Sequence, residues 1–184
     1  GERNLFENNT AVNLMGGGFV ARWPRVKNNI YRNNTVRGGG GLTVRDGAHH
    51  NLFENNTVED VHRGIWIFEH QENSKYYNDD NGALISGTDN IFRNIKIKNA
   101  VHGIGFGSYT EVNAYARDNV FDNITIEGGT YLLEAGHFSD NSIIKNSTFK
   151  NVPKYIKLRG PRKERDLDII YKNTKCTGCG FELP

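Results

Sequence analysis

The sequence predicts an all-β solenoid of about seven coils, and three observations predict it. One eight-residue phrase recurs seven times, each copy is followed by a second short stretch of alternating polarity, and the same asparagine returns in every copy. The heptapeptide NLFENNT is written twice without change, at 4–10 and 51–57. The seven copies are NLFENNTA (4–11), NIYRNNTV (29–36), NLFENNTV (51–58), NIFRNIKI (90–97), NVFDNITI (119–126), SIIKNSTF (142–149) and IIYKNTKC (169–176). Their starts lie 25, 22, 39, 29, 23 and 27 residues apart. That period is too short for helical-pair repeats and suits one coil of short strands. The longest interval follows the third copy and marks an insertion in the third coil.

Each element has its own warrant. The phrase itself is apolar on alternate residues, as a strand packed on one side requires. The second stretches are GFVARW (18–23), GLTVRD (41–46), GIWIFE (64–69), GIGFGS (103–108), YLLEAG (131–136), YIKLRG (155–160) and GFEL (180–183). One such unit cannot bury its apolar face, but units stacked at roughly 4.8 Å per layer bury a continuous core and pair every backbone group with the next layer. The fifth residue of the phrase is Asn8, Asn33, Asn55, Asn94, Asn123, Asn146 and Asn173. Stacked rungs place these side chains above one another, which predicts an internal amide ladder at a sharp bend. The five N-x-S/T sequons coincide with this row and are by-products of it.

This pattern resembles the right-handed parallel β-helix family, the fold of pectate lyases and polygalacturonases, over residues 4–183. The resemblance implies one solenoid domain across 1–184, as a whole or as a segment of a longer solenoid. It also implies an extracellular or periplasmic protein acting on an acidic polysaccharide as lyase or glycoside hydrolase. The non-catalytic alternative is a structural or adhesive solenoid that associates through its ends.

Composition sets bounds on this. With 36% hydrophobic and 24% charged residues the chain can build a core, and its formal charge of +2 is too small to argue for nucleic acid. No run approaches the roughly 18 apolar residues of a membrane span, and no leader pattern opens the chain at Gly1, which reads as a mature or excised segment. Abundant Asn and Gly suit a chain that turns often in left-handed conformations. Cys176 and Cys179 form a lone CxxC outside any redox fold, which points to a terminal disulfide or two free thiols.

Period-2 alternation on the second strands turns Phe19, Leu42, Ile65, Ile104, Leu133 and Ile156 inward. Their neighbours then form an outward stripe of Arg22, Thr43, Arg45, Trp66, Phe68, Gly105, Gly107, Glu134, Lys157 and Arg159. Arg22 and Arg45 would meet carboxylates or sulfates, while Trp66 and Phe68 would stack on sugar rings. The insertion FEHQENSKYYNDDNGA (68–83) would wall a cleft with Glu69, His70 and its tyrosines. Asp79-Asp80 followed 22 residues after Asp80 by His102-Gly103 is similar to the paired Asp and Gly-His-Gly of polygalacturonases, and implies a hydrolase acid and base. Two matches differ: the family's preceding Asn-x-Asp is here Asn56-Thr57-Val58-Glu59-Asp60, and its Arg-x-Lys is reversed as Lys157-Leu158-Arg159 one coil later than expected, with Glu134 at the expected position. A lyase would use Lys157 and Arg159 as neutraliser and base, with Tyr109 or His137 as acid. No cofactor is required. Calcium is an open candidate through Asp79, Asp80, Asp89 and Glu69. His49 and His50, adjacent in extended chain, should point to opposite sides.

Overall fold

The computed structural model describes residues 1–69, 84–108, 114–136, 138–159 and 167–184. Every strand pairing within them is parallel, and each joins one copy of the repeat to the next. The chain winds as a coil whose rungs carry four short sides, where alternation of polarity alone suggested two strands per unit.

The phrase is one continuous strand only in the fourth and fifth copies, Ile91–Lys98 and Val120–Glu127; elsewhere it is split in two. It bends at its fifth residue into two sides, face I and face II. In the first coil these are Leu5–Glu7 and Thr10–Leu14; in the third, Leu52–Glu54 and Thr57–Glu59. Face III holds six stacked strands: Phe19–Arg22, Leu42–Arg45, Arg63–Glu69, His102–Ser108, Tyr131–Ala135 and Lys154–Leu158. The seventh predicted stretch, GFEL, is not a strand; its Phe181 ring instead lies 5.3 Å from Tyr155. A fourth side, Ala48–His49, Leu84–Thr88, Ala114–Arg117 and the start of Phe138–Lys145, returns the chain to face I.

Corners recur every five residues, and each is left-handed. Asn28, Asn33 and Gly38 all have positive φ, as do Asp89, Asn94 and Asn99, and Asn141, Asn146 and Asn151. Side chains other than Gly, Asn and Asp pay a steric penalty there, so these three residue types supply nearly every corner. The Asn and Gly content follows from this geometry.

Amide ladders form, but the sequence assigned the wrong row to the interior. The fifth-position asparagines are exposed, and their amides link along the outside: Asn94 Nδ2 donates to Asn55 Oδ1, Asn123 to Asn94, and Asn173 to Asn146, each at 2.9 Å. Positive φ turns that side chain away from the core. The buried ladder is the first-position row, Asn29, Asn51, Asn90 and Asn119, in which each backbone N–H and Nδ2 donates to the next Oδ1 at 3.0–3.2 Å. A second inner ladder runs through Asn9, Asn34 and Asn56. It passes to Ile95 and Ile124, then resumes with Ser147, whose Oγ accepts the Ile124 N–H at 3.0 Å.

Inside, the third position stacks rings from Phe6 through Tyr31, Phe53 and Phe92 to Phe121, with centroids 4.5–5.2 Å apart. Each pair contributes about 0.5–1.5 kcal/mol beyond area burial. The Tyr31 hydroxyl is carried into this stack, and burial pushes its pKa up to about 12. Cys176 and Cys179 are joined by a disulfide at the last rung.

Candidate functional site

Faces I and II carry ion pairs between neighbouring rungs. On face I the outward row alternates Glu7, Arg32, Glu54, Arg93, Asp122 and Lys145, with Arg32 Nε 2.5 Å from Glu7 and both Arg93–Glu54 and Lys145–Asp122 at 3.6 Å. On face II Arg37 meets Glu59 at 3.0 Å. Such exposed pairs contribute roughly 0–1 kcal/mol each. Face I alternates in sign as far as Lys145, whereas face II presents Arg37, Lys96, Lys98, Lys150 and Lys175 against Glu59 and Glu127.

Face III is built differently. Its outward columns carry six cations, Arg22, Arg45, Arg63, Lys154, Lys157 and Arg159, and two carboxylates, Asp46 and Glu134. The Arg63 guanidinium lies 4.0 Å from the Trp66 ring centroid. Trp66 stacks on Phe68 at 3.8 Å, and Arg45 lies 4.3 Å from the Phe68 centroid. Arg63, Trp66, Phe68 and Arg45 therefore form one four-layer sandwich. Trp66 has room because its register partner on the next rung is Gly105 and that of Phe68 is Gly107. A Cβ at Gly105 would meet Trp66 Cδ1 at 3.2 Å, and one at Gly107 would meet Nε1 at 2.8 Å. Phe68 is only 3% exposed, contrary to an outward aromatic free to stack on sugar. The ring faces are occupied by each other and by guanidinium groups, so this surface offers ring edges and cationic N–H donors.

At one end of the sandwich Arg45 and Arg22 both reach Asp46 Oδ2, at 2.9 and 2.6 Å, and Arg22 lies 4.2 Å from the Trp23 ring. At the other end is a buried charge cluster. Arg63 crosses above Gly105 to bind Glu134 two rungs away, through Nε to Oε2 and through Nη2 to Oε1 at 2.9 Å. Arg159 reaches the same carboxylate from the following rung, and His102 Nδ1 lies 3.2 Å from Oε2. The latter is a close approach, not an aligned hydrogen bond. Burial alone would raise the Glu134 pKa, but the Arg63 hydrogen bond and the charges of Arg63, His102 and Arg159 hold it below the usual carboxylate range. Burial lowers His102 to about 4, with Arg63, His62 and Arg159 adding to the effect and Glu134 opposing it. At neutral pH the cluster is a neutral imidazole beside an ionised, doubly clamped carboxylate. Glu134 therefore holds no proton to donate.

The fold brings together His102, Glu134 and Arg159 from the sequence-derived catalytic set, and places Lys157 next to Glu134 in register on an exposed position. Arg22, Arg45, Trp66 and Phe68 share the same face. Asp79, Asp80, His70, Tyr109 and His137 lie outside the described residues. Glu69, expected at the cleft, is buried at the end of its strand, on the parity of Ile65 and Ile67. Asp89 is on another side of the coil, accepting the Thr88 hydroxyl at 3.0 Å. Among the described residues no group of three or more His, Cys, Asp or Glu side chains could hold a metal ion. His49 and His50 do not diverge: left-handed His50 brings their Nδ1 atoms within 2.6 Å. Arg63 and Asp46, central to the face, were not among the sequence candidates. The signal was present in Gly105 and Gly107, whose missing side chains leave space that a neighbouring rung must fill.

With this geometry in view, residues 1–149 match the family model described as the right handed beta helix region, and the chain belongs to that family. Among solved structures, the N-terminal fragment of bacteriophage Phi29 gene product 12 shares the fold, with a TM-score of 0.53 at 12% identity. The match covers 97% of this chain and 38% of that one. At this identity the likeness is one of fold. No curated protein matches the sequence significantly.

Proposed function

We propose that face III binds an acidic polysaccharide. The observation that carries this reading is the Arg63–Trp66–Phe68–Arg45 sandwich, which orders guanidinium groups against rings on a face whose cations outnumber its carboxylates. Guanidinium groups ordered against aromatic rings recognise carboxylate or sulfate in a fixed geometry, with little further entropy to lose. Acting on the bound chain as lyase or hydrolase is the finer form of this proposal. Lys157 is the exposed cation for it, since Arg159 is committed to Glu134. The protein would work outside the cytoplasm, a placement supported by the Cys176–Cys179 disulfide. Residues 1–184 would act as one solenoid domain.

Incubation with polygalacturonate separates the forms. Ultraviolet absorbance from unsaturated ends indicates a lyase, and new reducing ends without it a hydrolase. Retention on the immobilised polymer without either indicates a binder. No retention and no product would overturn the proposal. A second reading, a structural solenoid associating end to end, draws on the exposed Phe6 of the first rung, whose counterparts Phe53 and Phe92 are fully buried. Sizing at rising concentration tests it; an unchanging monomer counts against it.

A further inference from the structure

Beside the sandwich, glycine corners of the first two coils and face III enclose a pocket of about 290 Å³. Gly16 and Gly40 line it together with Thr43, Arg45, His62 and Arg63, next to the aromatic pair. Ligand pockets span ~300–1,000 Å³, so this one lies at the lower limit and suits a single sugar ring, not a length of polymer.

Both guanidinium groups in it are held before any ligand arrives. Arg45 has Nε on Asp46 at 2.9 Å and lies against Phe68. Arg63 has Nε and Nη2 on Glu134 and lies against Trp66. The donors left to a ligand are the two Nη groups of Arg45 and Nη1 of Arg63. Charge-assisted hydrogen bonds from such fixed donors are strong and selective for planar or tetrahedral oxyanions. His62 is exposed at the pocket, and burial of part of its ring and the charge of Arg63 lower its pKa. It is therefore neutral at pH 7 and offers one donor and one acceptor. The Thr43 hydroxyl adds another of each.

We infer that this pocket binds one anionic sugar unit, a uronate or a sugar bearing sulfate or phosphate. Arg45 and Arg63 take the anionic group, and His62 and Thr43 take ring hydroxyls. The inference rests on the reading of face III above and narrows it, from a polymer lying along a surface to one charged unit anchored at one place.

Calorimetric titration of the full chain with galacturonate, galactose 6-sulfate and galactose tests this, with polygalacturonate titrated in parallel. Two variants accompany it. Arg45→Gln removes the larger share of the free donors while Asp46 keeps Arg22. Gly16→Trp fills the pocket from a position where an added Cβ meets nothing within 4 Å, and leaves the sandwich intact. Galacturonate or the sulfated sugar should bind, and galactose at least tenfold more weakly, the difference between two or three charge-assisted bonds and none. Which charged sugar binds tells carboxylate from sulfate. Each variant should weaken the charged sugar about tenfold or more. If the polymer binds and Trp66→Ala reduces its binding, but neither charged sugar binds, the pocket is refuted and face III stands. If galactose matches galacturonate, charge recognition is refuted. If neither polymer nor sugar binds, both readings fall. Should Arg45→Gln fail to fold, Gly16→Trp decides alone: undiminished binding overturns the proposal.

Discussion

The buried His102 makes stability depend on pH in a window that can be worked out beforehand. In the folded chain its pKa lies near 4, against an ordinary 6.5, chiefly because burial disfavours the imidazolium. Once unfolded, the ring regains water and titrates normally. Between pH 6.5 and 4 the unfolded state therefore binds a proton that the folded state refuses, and stability rises with pH across that window. The contribution is complete above 6.5 and is lost progressively as pH falls to about 4. A difference of about 2.5 pKa units corresponds to about 3 kcal/mol, and with the side chain 6% exposed little of this is screened by solvent. Glu134 acts at lower pH: its depressed pKa gives stability that is present above the unfolded carboxylate value and lost as pH falls through the folded one. Urea unfolding at half-unit steps from pH 7.5 to 4 measures the window. His102→Gln should flatten the slope between 6.5 and 4, leaving the smaller contributions of His49 and His62, both also lowered by burial. Parallel losses in wild type and variant would refute the assignment. So would an NMR titration of the His102 ring with a midpoint near 6.5.

Glu134→Gln should destabilise by about 3 kcal/mol, because it leaves Arg63 buried without its carboxylate while Arg159 can turn to water; equal urea midpoints would contradict this. Asn90→Leu should cost about 3 kcal/mol, since Asn51 loses its acceptor and the Ala48 and Thr88 carbonyls lose their donor. At the exposed corner Asn94→Gly should be nearly neutral and Asn94→Leu should cost about 1–2 kcal/mol through its positive φ. Thermal melts of the three variants check that order, and a larger loss for Asn94→Gly than for Asn90→Leu would place the ladders wrongly. Trp66→Ala should weaken retention on acidic polysaccharide with a modest change in melting, because Arg63 loses the ring it lies against and Phe68 loses its stacking partner; unchanged retention would count against the sandwich as a binding device.

The repeat made the stacking of rungs legible, because identical phrases must meet identical surroundings. The orientation of the asparagines was not legible in the same way. A row that keeps Asn in all seven copies looks like a buried ladder, yet its constancy comes from a backbone angle that Asn tolerates whatever its neighbours are. The buried rows change to Ser142 and Ile169, or to Ile95, Ile124 and Ser147, since the interior constrains volume and hydrogen bonding jointly and accepts more than one solution. A bend at every fifth residue also resets the parity on which an alternation argument relies. On face III alternation did place Arg45, Trp66 and Glu134 outward. It could not reveal that Arg63 crosses a whole rung to reach Glu134, 71 residues away in sequence. That contact depends on Gly105 being a glycine, a property of the rung between them.

The central claim is tested most directly by comparing retention on immobilised polygalacturonate for four proteins: wild type, Arg45→Gln, Trp66→Ala and the face II control Lys98→Gln. Binding that falls about tenfold for the two face III variants and holds for Lys98→Gln is the predicted result. Equal retention of all four, or a loss at Lys98 as large as at Arg45, would contradict it.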